Sequence, residues 1–165
     1  MPTLYVMCGL SFSGKTTLAT RLAAATGAAF VSYDELYATA ERDLTGLEEW
    51  RYIVGLVHER TRAELSAGRS VVVDNLNEDR VDRAELRAIA DELGVETIVV
   101  HVDAPLEVIE ERRRRNAEIR VRGHTSDEMF EFVRARFETP EPPERVVRYR
   151  DGEDVDEWLA RLTAP

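Results

Sequence analysis

Residues 9–16 of the chain match the pattern G-x-x-x-x-G-K-[ST], the phosphate-binding P-loop motif. A triphosphate needs several backbone N–H donors that converge on its oxygens, and glycine lets the backbone come that close because it has no Cβ. Lys15 is placed to reach the β- and γ-phosphates, and the Thr16 hydroxyl is placed to hold Mg²⁺. We therefore expect this loop to bind the nucleotide through Gly9, Ser11, Ser13, Gly14, Lys15, Thr16 and Thr17.

The flanks of the motif favour this interpretation over a chance match. An apolar run from Thr3 to Cys8 precedes it, and a helical pattern closed by Gly27 follows it. Of the 22 lysine and arginine residues, Lys15 is the one lysine, so a compact ammonium stands where a point charge on phosphate is wanted. A guanine-reading Asn-Lys-x-Asp motif would need another lysine, which favours ATP over GTP.

A carboxylate follows the second apolar run of the chain, Ala28 to Ser32. At the rim of a parallel sheet, opposite the P-loop, Asp34 can accept the proton of an acceptor hydroxyl as that hydroxyl attacks the γ-phosphate. The alternative is that Asp34 caps the helix that follows, since aspartate is a common N-cap residue. The residues alone leave both interpretations open.

Asp74, Asn75 and Asn77 follow the third apolar run. An acidic residue that ends a strand beside the P-loop can orient the Mg²⁺ shell through water, so we expect a metal site at Thr16 and Asp74. Asn75 and Asn77 are candidate substrate-binding residues, although a capping role for Asn77 or Asp79 is an equal alternative. Asn75 stands where an Asp-Glu pair would polarise water for hydrolysis, which favours phosphoryl transfer.

Four consecutive arginines occupy residues 112–115. On a helix they cannot all face one site, but Arg112 and Arg115 share a face. The segment after them carries Arg122 and can close over a triphosphate, so we predict a lid over approximately residues 112–125. Arg112, Arg115 and Arg122 are the candidate catalytic arginines, which would neutralise charge on the bridging oxygens. A solvated basic run is the alternative.

Apolar runs alternate with helical patterns along the chain, which is typical of a parallel sheet covered by helices on both faces. We predict one domain over residues 1–165 with an α/β fold of three α/β/α layers, a mainly parallel five-stranded sheet and a helical, arginine-rich lid. The predicted strands are 4–8, 28–32, 70–74, 97–102 and, more weakly, 145–149, and the predicted helices are 15–26, 48–67, 79–93, 105–116, 126–138 and 154–162. Ligands of such sheets bind beyond the carboxyl ends of the strands.

Proteins that bind along long nucleic acids usually carry a basic surface, whereas this chain has a net charge of −10. A small or locally bound substrate is therefore favoured. Cys8 is the single cysteine, and its place in an apolar run indicates a buried thiol. His58, His101 and His124 show no metal-ligand spacing. The sequence contains neither a targeting segment nor an apolar run that suits a membrane span, so we expect a cytoplasmic protein.

Five segments taken together carry a family resemblance: 9–17, 32–36, 74–77, 112–115 and 136–140. They resemble the P-loop kinase domain of seryl-tRNA(Sec) kinases and Elongator-associated tRNA-modification ATPases, among the AAA-type small kinases, and are also similar to polynucleotide 5′-hydroxyl kinases. The resemblance implies Lys15 and Thr16 on nucleotide and Mg²⁺, Asp34 as the general base, and Asp74 near the metal. It also implies lid arginines among Arg112, Arg115 and Arg122.

The leading expectation is an ATP- and Mg²⁺-dependent phosphotransferase that moves the γ-phosphate to a hydroxyl of a small molecule or nucleotide. The tRNA-linked relatives carry an additional tRNA-binding domain, whereas this chain ends soon after the kinase core, which favours a small acceptor. One alternative is a polynucleotide or RNA 5′-hydroxyl kinase. The other, of a different class, is an ATP-hydrolysing switch or adaptor.

Overall fold

Five parallel strands form the centre of the computed structural model, which describes residues 1–119 and 125–164. The strands are β1 (Thr3–Cys8), β2 (Ala29–Ser32), β3 (Val71–Asp74), β4 (Glu96–Asp103) and β5 (Val146–Arg150). Their order across the sheet is β2-β3-β1-β4-β5, and every neighbouring pair is parallel. The predicted α/β class and the five-stranded sheet are therefore confirmed.

Helices connect the strands, as parallel neighbours require. They are α1 (Lys15–Thr26), α2 (Tyr33–Thr39), α3 (Gly46–Ser66), α4 (Arg80–Glu92), α5 (Leu106–Ile119), α6 (Asp127–Arg136) and α7 (Val155–Thr163). The predicted helices agree with these bounds to within a few residues, except that α2 was not among them, although the capping alternative for Asp34 supposed a helix at this place. It spans only 7 residues, too few to show a helical period. Within the described ranges, none of the helices is both long and apolar enough to cross a membrane.

The side chains of β1 alternate between two cores, one on each face of the sheet. Tyr5 and Met7 lie in the core that α1 and α7 cover, together with residues such as Leu22 and Trp158. Leu4 and Val6 lie in the opposite core, which α3 and α4 cover with residues such as Val57 and Leu86. Helices thus pack on both faces of the sheet.

Strand β1 lies in the middle of the sheet, between β3 and β4. The loop that leaves β1 therefore emerges at the centre of the carboxyl edge, and the segments that leave β2 and β3 emerge beside it. This order brings the P-loop, Asp34 and Asp74 to the same edge of the molecule.

Candidate active site

The loop between β1 and α1 has a backbone suited to phosphate binding. Gly14 has a φ of 101° and forms the N-cap of α1, where no side chain accepts a hydrogen bond from the first turn. Phe12 also has a positive φ, 65°. The first turn of α1 contains no acidic residue, so its N–H groups and the positive end of the helix dipole face the loop. Helix N-termini with these features bind anions.

Gly9 is the most tightly packed glycine of the loop. A Cβ at this position would lie 2.8 Å from the Val102 carbonyl oxygen and 3.0 Å from Ser13 Oγ. The first distance is shorter than Cβ contacts in proteins, and it is to a backbone atom that cannot rotate away, so any other residue would push the loop away from β4. The second distance is tight and would require the Ser13 side chain to shift. A Cβ on Gly14 would meet only Arg112 Nη1, at 3.8 Å, and there the positive φ is what requires glycine.

Two polar side chains of the loop, those of Lys15 and Ser13, are buried. Lys15 is 8% exposed, and its Nζ donates a hydrogen bond of 3.0 Å to the Leu10 carbonyl oxygen. Ser13 Oγ is buried and makes no hydrogen bond within the described part of the chain. Since burial of an unpaired hydroxyl is destabilising, a phosphate oxygen that paired with Ser13 would relieve it. Ser11, half-buried, lies beside them in the loop.

The ends of β2 and β3 place two carboxylates at the same rim. Ser32 of β2 is paired in register with Asp74 of β3. Asp34 lies two residues beyond Ser32, in the first turn of α2, and its side chain is exposed. Asp74 is 6% exposed. The rim therefore presents an accessible carboxylate, Asp34, next to a strand that ends in a buried one.

The structure decides between capping and other roles for these acidic residues. Ser32 is the N-cap of α2, because its Oγ accepts a hydrogen bond of 3.3 Å from the Glu35 N–H. The interpretation of Asp34 as the cap is therefore wrong. Asp79 is the N-cap of α4 and accepts a hydrogen bond of 2.9 Å from the Asp82 N–H, so the capping alternative holds for Asp79.

Asn75 and Asn77 lie in different environments. Asn75 is half-buried at the rim, and its Oδ1 accepts a hydrogen bond of 2.8 Å from the Leu76 N–H. Asn77 is 1% exposed, and its side-chain Nδ2 donates a hydrogen bond of 2.6 Å to the Met7 carbonyl oxygen. A side chain so deeply buried does not face an incoming substrate. Burial and the Met7 contact favour a structural role for Asn77 over the predicted role in substrate binding.

Thr16 and Asp74 supply oxygen atoms for the predicted Mg²⁺ site. In the described ranges, no group of three or more His, Cys, Asp or Glu side chains gathers in a way that could hold a metal ion. Mg²⁺ that arrives with a nucleotide takes most of its ligands from water and phosphates, and needs only one or two from protein. The half-buried Thr16 hydroxyl and the Asp74 carboxylate therefore fit such an ion.

Arg112 binds the backbone of the P-loop. Its Nη1 donates hydrogen bonds to the carbonyl oxygens of Phe12 and Ser13, at 3.2 and 3.3 Å. Its Nη2 donates to Asp151 Oδ1 at 2.6 Å. Arg112 therefore connects α5, the P-loop and the turn between β5 and α7, and it lies on the α5 side of the loop.

The other predicted arginines are dispersed. Arg115 is 70% exposed and pairs with Glu111 on its own helix. Arg114 pairs with Glu111 as well, while Arg113 pairs with Asp127 of α6 at 2.6 Å and lies over the Phe130 ring. Arg122 lies outside the described residues. Arg112 and Arg115 do share one face of α5, since both line the same cavity.

That cavity opens beside the P-loop and has a volume of about 400 Å³. Its lining includes Gly14 and Thr17 of the P-loop and α1, Arg112 of α5, and Tyr149 and Asp151 at the end of β5. A volume of this size is in the range of small-molecule sites, at the low end of ~300–1,000 Å³. Sequence reasoning missed Tyr149 and Asp151, because β5 was the weakest predicted strand and no motif marks the turn after it.

A cluster of side chains links α2 to α3 on the Asp34 side of the rim. The rings of Tyr33 and Tyr37 stack with their centroids 6.2 Å apart. Arg42 lies 4.1 Å above the Tyr37 ring and donates a hydrogen bond of 3.0 Å to Glu49. Burial, and then the Glu49 charge, raise the pKa of Tyr33. These contacts hold the segment around Asp34 against α3. No sequence motif predicted them.

Three further titratable candidates, Cys8, His58 and His101, are at least partly buried. Cys8 is buried, and burial raises the pKa of its thiol to about 12. Burial lowers the pKa of both His58 and His101, so their neutral forms are favoured. His124 lies outside the described residues. The prediction of a buried cysteine is confirmed.

Comparison with known proteins identifies the family. A family model described as an AAA domain matches residues 4–140, and the chain belongs to this family. No curated protein sequence matches the chain significantly. The kinase-like P-loop fold is thus shared with a family that covers most of the chain.

Solved structures show the same fold. An unliganded sugar kinase from Janibacter sp. HTCC2649 is 24% identical, with a TM-score of 0.72 and coverage of 98% of this chain and 92% of that one. The APS kinase of Mycobacterium tuberculosis, in complex with AMPPNP and APS, is 17% identical, with a TM-score of 0.73 and coverage of 98% and 95%. Kti12 of Chaetomium thermophilum, in complex with ADP-AlF3, is 20% identical, with a TM-score of 0.78 and coverage of 96% of each chain. The chain has the fold of small P-loop kinases.

Proposed function

We propose that the chain is an ATP- and Mg²⁺-dependent phosphotransferase that acts in the cytoplasm and moves the γ-phosphate of ATP to a hydroxyl of a small molecule or nucleotide. The observation that carries this proposal is the position of Asp34. Its side chain is exposed at the edge where the P-loop emerges, and Ser32 has already taken the capping role. The family and the kinase-type fold support a phosphotransferase in general.

In this proposal ATP lies with its nucleoside in the 400 Å³ cavity and its phosphates against the P-loop. The N–H groups of the loop and of the first turn of α1 donate to the phosphate oxygens, and Ser13 Oγ gains the partner that it lacks. The Lys15 ammonium reaches the β- and γ-phosphates. Gly9 makes this possible because the loop packs on β4 without a side chain in the way.

Transfer requires a base for the acceptor hydroxyl. Asp34 accepts the hydroxyl proton as the new O–P bond forms, while the bond from the γ-phosphorus to the bridging oxygen breaks and ADP leaves. Mg²⁺ held by Thr16 and Asp74 would neutralise charge on the phosphates. Asn75, at the rim, is the candidate for an acceptor contact. The rate gain from a positioned general base is typically about 10²- to 10⁴-fold.

The arginines have separate roles in this proposal. Arg112 binds the nucleotide side of the P-loop, because it lines the cavity and holds the Phe12 and Ser13 carbonyls. Arg115 lines the same cavity with a side chain that is 70% exposed, so it is available to a nucleotide bound there. Arg122 remains a candidate for stabilising charge on the transferred phosphoryl group.

The acceptor side of the rim is acidic. Residues 33–52 contain six acidic and two basic side chains, so this segment repels polyanions. We therefore favour a small acceptor without several negative charges over the end of a polynucleotide. The resemblance to polynucleotide 5′-hydroxyl kinases and seryl-tRNA(Sec) kinases supports hydroxyl phosphorylation as the chemistry, and leaves the 5′-end of RNA or DNA as the alternative acceptor.

A γ-phosphate transfer screen with labelled ATP tests the proposal against nucleosides, sugars, amino-acid alcohols and short oligonucleotides. On any acceptor found, Asp34→Asn should lower turnover at least 100-fold and leave the dissociation constant of Mg·ATP within about twofold. Glu35→Gln is the matched control, since Glu35 is an exposed carboxylate in the same turn of α2. It should retain wild-type turnover.

Two results would contradict the proposal. Wild-type turnover in Asp34→Asn would remove the general base from the mechanism. Release of the label only as inorganic phosphate, with every acceptor in the screen, would favour slow ATP hydrolysis by a switch or adaptor protein over transfer.

A further inference from the structure

A buried ion pair lies beneath the carboxyl edge of the sheet. Arg83 of α4 donates two hydrogen bonds to Glu144, with Nε to Oε1 at 2.7 Å and Nη2 to Oε2 at 3.1 Å. The two side chains are only 1% and 4% exposed. Glu144 lies two residues before β5, so the pair connects α4 with the segment that enters the edge strand β5.

The third donor of Arg83 is directed at Asn77. Arg83 Nη1 donates to the Asn77 carbonyl oxygen at 3.0 Å and contacts Cys8 Sγ at 3.8 Å. The Cys8 thiol donates to the same carbonyl oxygen at 3.3 Å. Asn77 has a φ of 48°, so its backbone is in the left-handed region, which asparagine adopts more often than most residues other than glycine. The Arg83 guanidinium thus joins Glu144 to the carbonyl group of this left-handed residue.

Asn77 and its neighbour hold the entry to the P-loop. The Asn77 side chain donates to the Met7 carbonyl oxygen at 2.6 Å, and the Leu76 carbonyl oxygen accepts a hydrogen bond of 3.4 Å from the Gly9 N–H. Together with the Cys8 thiol, these bonds attach the last residues of β1 and the first residue of the P-loop to the segment that follows Asp74. Each of these bonds ends on a backbone carbonyl oxygen, that of Met7, Asn77 or Leu76, so together they fix the position of the two segments relative to each other.

We propose that Asn77 is a positioning residue for the phosphate-binding loop. Through Met7, Cys8 and Gly9 it sets the position of the P-loop relative to the Asp74 rim, and the Arg83–Glu144 pair holds it there. This inference rests on the proposed nucleotide site. The loop has little space for displacement towards β4, because a Cβ built on Gly9 would lie only 2.8 Å from the Val102 carbonyl oxygen.

The experiment separates positioning from a general loss of stability. Asn77→Gly removes the side-chain bond to Met7 and keeps a residue that adopts a positive φ without strain. Arg83→Lys keeps the positive charge but cannot reproduce the three directed bonds of the guanidinium. Leu86→Ala is the matched control, since Leu86 lies in the core on the same helix, is 2% exposed, and does not take part in these contacts.

Two measurements are made under conditions where unfolding curves show each variant to be folded. The first is the dissociation constant of Mg·ATP. The second, made without nucleotide, is hydrogen exchange of the backbone across residues 8–14. We expect Asn77→Gly to raise the dissociation constant about tenfold and to speed exchange in the P-loop, and Arg83→Lys to change both in the same direction. Leu86→Ala should bind Mg·ATP as the wild type does.

The proposal is overturned if the folded Asn77→Gly and Arg83→Lys proteins bind Mg·ATP with wild-type affinity, or if exchange across residues 8–14 does not change. Equal weakening by Leu86→Ala would also overturn it, because the effect would then follow stability alone. Failure of the nucleotide site is distinguishable: the wild type itself would not bind Mg·ATP, and the exchange measurement would still test the connection between Asn77 and the loop.

Discussion

Removal of Arg83 should leave a carboxylate buried without a partner. Glu144 is 4% exposed at its side chain and receives two hydrogen bonds from Arg83, with one weaker bond of 3.3 Å from the Glu141 N–H. Breaking such a pair by deleting one partner typically costs about 3–5 kcal/mol. Since domains are stable by about 5–15 kcal/mol, Arg83→Met should remove a large share of the free energy of unfolding.

The loss should depend on pH, and the sign follows from Glu144. Burial alone would raise its pKa, but the hydrogen bonds and charge of Arg83 outweigh burial and hold the pKa below its ordinary value. In the wild type, therefore, Glu144 contributes stability that is present above the unfolded pKa of about 4.3 and is lost as the pH falls through the folded pKa. In Arg83→Met burial prevails and the folded pKa rises, so the fold is destabilised above about pH 4.3 and recovers on acidification.

Urea unfolding at pH 7.5 and at pH 4.5, followed by tryptophan fluorescence and circular dichroism, measures both effects. A double-mutant cycle of Arg83→Met, Glu144→Gln and the double variant should give a coupling free energy of about 2–4 kcal/mol at pH 7.5. Arg62→Met is the control, because the Arg62–Glu92 pair also joins two helices but is 47% and 61% exposed. It should cost less than about 1 kcal/mol.

Additivity of the two single substitutions would refute this reasoning, since it would mean that the two charges do not interact. A loss in Arg83→Met that is the same at both pH values would also refute it, because the cost would then come from packing and not from the unpaired carboxylate. A loss in Arg62→Met as large as that in Arg83→Met would show that burial is not the cause.

Two further substitutions test the local physics of the site and its surroundings. Burial, followed by the charges of Asp79, Glu78 and Glu85, raises the pKa of Asp82 to about 6, so its charged form destabilises the fold above the unfolded pKa. Asp82→Asn should therefore raise the free energy of unfolding by about 1–2 kcal/mol at pH 7.5, a value halved for solvent screening, and the gain should vanish towards pH 4 in urea titrations. Gly9→Ala should cost about 1–3 kcal/mol and weaken Mg·ATP binding at least tenfold, because its Cβ would lie 2.8 Å from a carbonyl oxygen. Gly55 lies inside α3, and no atom lies within 4 Å of a Cβ built on it, so Gly55→Ala should instead raise the free energy of unfolding by about 0.5–1 kcal/mol. If both glycine substitutions changed the free energy of unfolding in the same direction, the packing argument would be contradicted.

Sequence alone predicted the features that depend on local patterns. Strands buried on both faces appear as continuous apolar runs, and the P-loop is a fixed order of residue types, so the sheet, most helices and the position of Lys15 followed directly. The carboxyl-edge rule then predicts that Asp34 and Asp74 lie at one rim of the sheet. These inferences need only neighbours along the chain and one rule about parallel sheets.

The features that sequence reasoning missed depend on contacts between distant residues. Asn77 was predicted to bind substrate because an amide after a strand can face outward, but its bond to Met7 joins residues that are 70 positions apart. The Arg83–Glu144 pair spans 61 positions, and the bond between Arg112 and the Phe12 carbonyl spans 100. No periodicity or motif indicates such pairings. From sequence alone, a polar residue near the rim can therefore equally bind substrate, cap a helix or make a structural contact.

The difference between lysine and arginine side chains explains why the role of Lys15 could be predicted from the sequence and the roles of Arg83 and Arg112 could not. A guanidinium carries five donors in a rigid plane, and Arg83 and Arg112 each use it to hold several acceptors at once, from carboxylates to backbone carbonyls. Those acceptors come from anywhere in the fold, so the role of an arginine is set by tertiary structure. An ammonium is a compact charge on a flexible stem, and Lys15, with a hydrogen bond to the Leu10 carbonyl, keeps its charge inside the loop that phosphate would enter. Every other lysine or arginine position of the chain holds arginine, so the lysine at position 15 by itself predicts phosphate binding.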